Sequence, residues 1–317
     1  MNLNNLNPNE ISESARIYEY TSASNPSLKK VPILFHDSHL YQEGETRIIP
    51  FDNSKSLETD YLATSPSLLC SFIKIGKRDA IYTEAVATSQ LFYVIKGDGF
   101  STIYGKEGNR QTFHWSTGDL FVVPFLEDDE MHIKHNAIED SALFWVTDEP
   151  LLKYLGVIPN EPKFNLTFFS KERMFTALAD IREENEALDL NRLGILLGNE
   201  ATEHSTKTIT HTLWSLLNVL PANKVQRPHR HNSVAIDFCI LADNQSGGIY
   251  TLIGEELDEK GWIKNPKKCY WETGSVFITP PGLWHSHHNE TDEDAYVLPI
   301  QDAGLHTYLR TLDIRFS

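Results

Sequence analysis

Short apolar runs cut by turn residues dominate most of this chain, and that pattern is one of strands. Residues 67–75 (SLLCSFIKI) and 90–96 (QLFYVIK) are the first two; Gly97-Asp98-Gly99 punctuates them before 100–104 begins another. Residues 119–124 (DLFVVP) and 142–146 (ALFWV) follow. Many short strands with Gly-rich turns between them predict an all-β barrel or sandwich. The pattern changes over 150–195, where 151–155 and 171–188 are rich in Leu, Ala, Glu, Arg and Met. These read as helices, the second with Ser170 as N-cap. The strand pattern returns at 212–220, 234–241, 248–253, 275–280 and 296–300. The polar, Asn- and Ser-rich residues 1–30 predict a loose arm.

The two β regions can be laid over each other. GDLFVVP at 118–124 matches GSVFITP at 274–280, and 71–95 lies on 216–240 at a constant offset. Each half ends in a similar tail, 148–155 and 302–309. A self-similar pattern of this kind predicts a duplicated barrel unit. The expected organisation is an N-terminal arm with the first strands (1–60), a first barrel (61–160), a helical linker (161–200) and a second barrel (201–317).

Composition narrows the partners. A chain of 317 residues with 40% apolar positions can build two cores. A formal charge of −16 argues against nucleic acid and anionic membranes, which need a basic face. The acidic balance is most simply a solvated surface. Cys70, Cys239 and Cys269 are too sparse for a disulfide framework, and no CxxC pair is present for a thiolate zinc site. The first residues lack a basic and apolar leader pattern, and no apolar run nears the roughly 20 residues that span a bilayer. The expected location is the cytoplasm.

The chemistry lies in Pro228-His229-Arg230-His231. Residues two apart in a strand face the same way, so His229 and His231 can offer two imidazoles to one metal. A third ligand must come from elsewhere. The Pro280-Pro281-Gly282 turn ends a strand and aims His285 back across the barrel.

The stretch from Gly274 to Asn289 resembles the second motif of the cupin superfamily, whose fixed Gly, Pro, Gly, His and Asn are met by Gly274, Pro280, Gly282, His285 and Asn289. The first motif is partly met: His229 and His231 are present, and Ala235 or Ile236 stands where the usual Glu falls. Three histidines without that Glu, together with Trp284-His285-Ser286-His287, resemble the gentisate 1,2-dioxygenase-like bicupins, which include salicylate and hydroxynaphthoate dioxygenases. The resemblance covers most of residues 60–317 and is strongest at the two motifs. It implies two tandem cupin (jelly-roll) barrels with short connecting helices, and a homo-oligomer, dimer or tetramer.

The resemblance also implies roles. His229, His231 and His285 match the iron ligands, and His287 matches a histidine beside substrate, a candidate acid/base. Trp214 and Asp302 match a pocket tryptophan and aspartate, Asn218 stands where Gln is frequent, and Arg192 lies near a family arginine. The bland readings are core packing for Trp214, a turn cap for Asp302, and rim positions for His287 and His288.

Two departures stand out. In the first half Glu84 and Val86 occupy the positions of the histidine pair and His132 is a remnant, so that barrel is expected to be metal-free and structural. In the second half Asp237 replaces the arginine that grips a substrate carboxylate. It is a substrate contact, a fourth metal ligand or a salt-bridge partner; the first reading also gives it a part in catalysis by selecting substrate. An aspartate repels a carboxylate and suits an amine or hydroxyl. The insertion 242–270, with its acidic run, is expected to reshape the pocket rim.

Three neutral imidazoles leave Fe(II) with open positions and its full charge, which favours a chelating substrate beside O2. The expected activity is O2-dependent cleavage of a small ortho-substituted aromatic. The alternatives are a Zn, Mn or Ni enzyme of the isomerase or decarboxylase kind, and a non-catalytic small-molecule-binding bicupin.

Overall fold

The computed structural model describes residues 14–24, 26–105, 110–127, 132–184 and 193–317. The chain divides into two units, Met1–Lys30 and Val31–Ser317. In the first, a one-turn helix (Tyr20–Ala23) is capped by Glu19, whose carboxylate accepts from the backbone N–H groups of Thr21 and Ser22.

The second unit is built almost wholly of strands. β1 (Phe35–His36) and β2 (Arg47–Pro50) precede a first barrel of β3 (Leu69–Ile75), β4 (Ala80–Glu84), β5 (Ser89–Lys96), β6 (Asp98–Tyr104), β7 (Arg110–Ser116), β8 (Leu120–Pro124), β9 (His132–Ala137) and β10 (Ser141–Thr147). β11 (Thr167–Phe169) and β12 (Leu193–Leu197) stand on either side of a helix, Lys171–Glu184. The second barrel comprises β13 (Trp214–Leu220), β14 (Lys224–His231), β15 (Ala235–Leu241), β16 (Ile249–Gly254), β17 (Lys267–Tyr270), β18 (Val276–Thr279), β19 (Trp284–Asn289) and β20 (Ala295–Gln301), with β21 (Ile314–Phe316) at its edge.

Each barrel has a six-stranded sheet facing a smaller one. The orders are β11-β8-β5-β10-β3-β2 against β4-β9-β6-β7, and β1-β18-β15-β20-β13-β12 against β17-β16-β19-β14-β21. All pairings are antiparallel, as in a jelly roll. The segment read as a helical linker does contain a helix, and Ser170 Oγ accepts from the Arg173 N–H at its start. It also contributes one strand to each large sheet, because β11 pairs β8 and β12 pairs β13.

The large sheets are covered on both faces, so β3 and β10 are buried at every residue. This explains their continuous apolar runs. Between them lies a joint core in which Phe72, Phe144 and Phe51 from the first half meet Phe238 from the second. Each such ring, fully buried, is worth about 3–5 kcal/mol against truncation to Ala. Separate cores fill the inner side of each barrel. Among the described residues no helix is long and apolar enough to cross a membrane.

Candidate metal centre

The second-motif residues act first on the backbone. Gly274 and Gly282 sit at φ +81° and +78°, in the left-handed region that glycine enters most easily. At Gly274 a Cβ would also strike the Tyr41 hydroxyl, which donates to the Gly274 carbonyl. The Gly282 N–H donates to the His231 carbonyl at 2.7 Å. That bond ties the turn to the histidine strand and sets β19 beside β14. Asn289 closes the far end, donating to the Leu220 and Glu293 carbonyls and accepting from Thr291.

β14 and β19 then pair with His229 opposite His285. Ring centroids lie 3.9 Å apart for His229 and His285, 4.9 Å for His231 and His285, and 5.8 Å for His229 and His231. One ring nitrogen from each of the three lies within 4.8 Å of the others. The tautomers follow from the carbonyls they meet. His231 Nδ1 lies 2.9 Å from the Ser233 carbonyl and His285 Nδ1 lies 3.2 Å from that of Leu283. A carbonyl only accepts, so each Nδ1 carries the proton and each Nε2 carries the lone pair. Backbone partners of this kind orient metal-binding histidines. Burial lowers the pKa of His231, favouring the neutral ligand form. The donor set therefore fits a divalent transition ion, since imidazole serves iron, zinc and nickel, whereas magnesium and calcium take oxygen.

These histidines line a cavity of about 270 Å³ inside the second barrel. Trp214, Asn218, Asp237 and His287 line it too. The Trp214 Nε1 proton is buried and has no hydrogen-bond partner among the described residues. Asn218 has room because Gly194 faces it; a Cβ there would lie 1.8 Å from Asn218 Oδ1. His287 Nδ1 lies 2.7 Å from Thr251 Oγ1, which also accepts from Trp271 Nε1 at 2.8 Å. The Thr251 hydroxyl, with one lone pair taken by the indole, keeps its own proton and a second lone pair for Nδ1, so it holds the His287 ring in either tautomer and leaves Nε2 as the other ring nitrogen. Asp237 is 3% exposed and accepts from Thr279 Oγ1 at 3.1 Å. Burial outweighs that bond and pushes its carboxyl up to about 7. It lies outside the three-histidine group, so the fourth-ligand reading is not supported.

Asp302 is placed elsewhere. Its carboxylate accepts from Ser67 Oγ of the first half at 2.6 Å and from the Val234 N–H at 3.0 Å, and it does not line the cavity. Asp148 is its counterpart: it accepts from Thr88 and Ser89 at the start of β5, while Thr212 of the second half donates to Ser89 Oγ. Arg192 lies outside the described residues. His288 turns away from the cavity and stacks on Tyr250 at 4.7 Å. No residue of 242–270 lines the cavity, and the segment bears on it through Thr251, which bonds His287 from behind. Sequence reasoning missed Gln226, Gln301, Ile314 and Phe316, which complete the wall with Leu216, Ala235 and Pro299. Gln226, three residues from His229, would face the other way in a regular strand, and only the register shift between them turns it inward; Phe316 carries no local signal either. Its strand reaches the site only by pairing with the histidine strand, Phe316 opposite His229.

The first barrel differs at the corresponding positions. Ser101 pairs with His135 as Thr251 pairs with His287, so Ile133, two residues before, stands where His285 does; it pairs with Thr83, which places Thr83 rather than Glu84 opposite the third ligand position, while His132 pairs with Glu84. The His132 ring packs instead against Tyr82 and Tyr104.

No family model matches the chain. A segment is 30% identical over 111 residues to 5-aminosalicylate 1,2-dioxygenase from a Comamonas species; it is 34% of this chain and 28% of that relative's length. The fold is similar to that of a salicylate 1,2-dioxygenase from Pseudaminobacter salicylatoxidans, with a TM-score of 0.72 at 15% identity over 97% of this chain and 95% of the other. The gentisate adduct of that enzyme gives 0.71 at 14% identity, over 98% and 92%. Sheet order, duplicated barrel and whole-chain similarity agree on the architecture: two tandem β-barrels with the fold of salicylate 1,2-dioxygenase.

Proposed function

We propose that the chain is a non-haem Fe(II)-dependent dioxygenase acting on a small ortho-substituted aromatic. The observation that carries this reading is the three-histidine group at the wall of a single-ring-sized cavity. Similarity to dioxygenases of aminosalicylate and salicylate supports the oxidative choice. Held by His229, His231 and His285, iron supplies a Lewis-acidic, redox-active centre with open positions for a chelating substrate and O2.

The protein's own groups do the rest. Leu216, Pro299, Ile314 and Phe316 give the cavity an apolar wall against which an aromatic ring can pack. His287 offers its Nε2 as a hydrogen-bond partner or general acid/base, with Thr251 and Trp271 holding the ring through Nδ1. Trp214 Nε1 and the Asn218 amide offer further polar contacts for orientation. Asp302 and the second-half tail belong to the joint between barrels.

The test is anaerobic iron loading followed by oxygen uptake with aminophenols and hydroxybenzoates. Uptake lost in His285→Ala supports the reading. No uptake with any member of the panel counts against it, and turnover that persists without O2 or returns with Zn assigns a non-oxidative metal enzyme.

A further inference from the structure

Asp237 sits at a node of the barrel that the duplication lets us compare directly. In the second barrel Asp237 pairs across the sheet with Phe277 and Pro299; in the first, Phe92 pairs with Phe121 and Trp145. Phe92 stacks on both neighbours, 4.9 and 5.8 Å between centroids, and fills the interior. The same node in the second barrel holds a carboxyl group and borders a cavity.

That carboxyl is under-used by the protein. A carboxylate offers about four acceptor sites. Among the described residues only Thr279 Oγ1 donates to it, on Oδ2. Buried acceptors are normally satisfied, so this one asks for a donor from the cavity. The neighbouring walls add the amides of Asn218, Gln226 and Gln301, and the described lining contains no Lys or Arg. A carboxylate guest would therefore face Asp237 with no cationic side chain beside it. The cavity is also small. A void of about 150 Å³ holds benzene, so about 270 Å³ holds one ring with two small substituents. Asp237 and the three histidines line this same small cavity, so a ring that fills it meets both.

We propose, resting on the reading that this cavity takes a chelating aromatic, that Asp237 selects an uncharged proton-donating arm on the substrate (amine, amide or hydroxyl) and rejects a carboxylate there. The burial that pushes the Asp237 acid upward works in the same direction, since a donor from the guest would offset it.

The test needs no turnover. The full chain, loaded with cobalt(II) under argon, is titrated with salicylate and its near-isostere salicylamide, and with 2-aminophenol and catechol, following the visible cobalt bands. The wild type is expected to bind salicylamide at least tenfold more tightly than salicylate. Asp237→Asn, which supplies an N–H donor, is expected to narrow or reverse that ratio, and Asp237→Leu to lose most of the salicylamide affinity while keeping cobalt. The order of 2-aminophenol and catechol says whether amine or hydroxyl is the preferred donor within the class. Salicylate binding as tightly as salicylamide, or a ratio unchanged in both variants, overturns the proposal and leaves the chelation reading intact. Cobalt bands that respond to none of the four compounds overturn both.

Discussion

The two barrels of this chain share a sheet order and even a buried relay. In the first, Trp115 Nε1 donates to Ser101 Oγ, which lies 2.7 Å from His135 Nδ1; in the second the same places are held by Trp271, Thr251 and His287. The difference is where the histidine's other nitrogen goes. His135 Nε2 lies 3.0 Å from Thr83 Oγ1, and His135 is completely buried. His287 borders the cavity. Phe92, Trp145 and Ile133 fill the first interior where Asp237, Pro299 and His285 line the second. One scaffold thus became a packed core in one copy and a polar cavity in the other through a few inward-facing residues.

The largest expected contrast is at the third ligand position. His285→Ala should take bound metal from near one per chain to below a tenth and cut turnover more than a hundredfold, by elemental analysis and oxygen uptake. Ile133→Ala, its register mate, should leave metal content unchanged and cost about 2–5 kcal/mol of stability instead.

Next comes the Asp237 and Phe92 node. Phe92→Asp should cost at least about 5 kcal/mol, because it removes a fully buried ring and buries a carboxyl in a filled core. At Asp237 the pKa is raised from 3.8 to about 7 by burial. An acid with a raised folded-state pKa gives stability that is fully present below about pH 4 and lost as pH rises through about 7. Asp237→Asn should therefore stabilise the metal-free protein at pH 8 by roughly 2–4 kcal/mol, at about 1.4 kcal/mol per pKa unit, with little gain at pH 4. Denaturant titrations at both pH values check this; equal gains at both would show that Asp237 is not the ionising group.

The relay gives a smaller, sharper pair. Thr251→Val and Ser101→Ala each strand an indole N–H and a histidine nitrogen, costing about 1–3 kcal/mol. Only Thr251→Val should also lower kcat with metal retained. Smallest are the clamps between halves. Ser67→Ala should cost about 1 kcal/mol by losing its bond to Asp302. A substrate KM unchanged within twofold would separate this joint from the cavity, and a shifted KM would return Asp302 to the site.

The buried large sheets were legible because both faces are apolar: 90–96 and 142–146 appear as β5 and β10 within a residue or so. The small sheets were less so. β7 (RQTFHWS) and β19 (WHSHHN) carry few apolar residues, and β4 and β17 are short and half exposed. Hydrophobic period fails where one face meets solvent and the other meets a cavity. His132 was placed one residue out for a related reason: its spacing to Asn136 imitates the second motif, whereas the register of β9 on β6, matched to that of β19 on β16, selects Ile133.

The sequence by itself determined the duplicated barrel, the turn glycines and the His229, His231 and His285 set, because these depend on local backbone geometry and on period-two alternation. Only the tertiary structure decided which polar groups share the cavity. Gln226, Gln301 and Phe316 join it, and Asp302 leaves it for Ser67, through pairings between strands distant in the chain. Those pairings are fixed by sheet register and by the packing of one barrel on the other, which no short stretch of residues encodes.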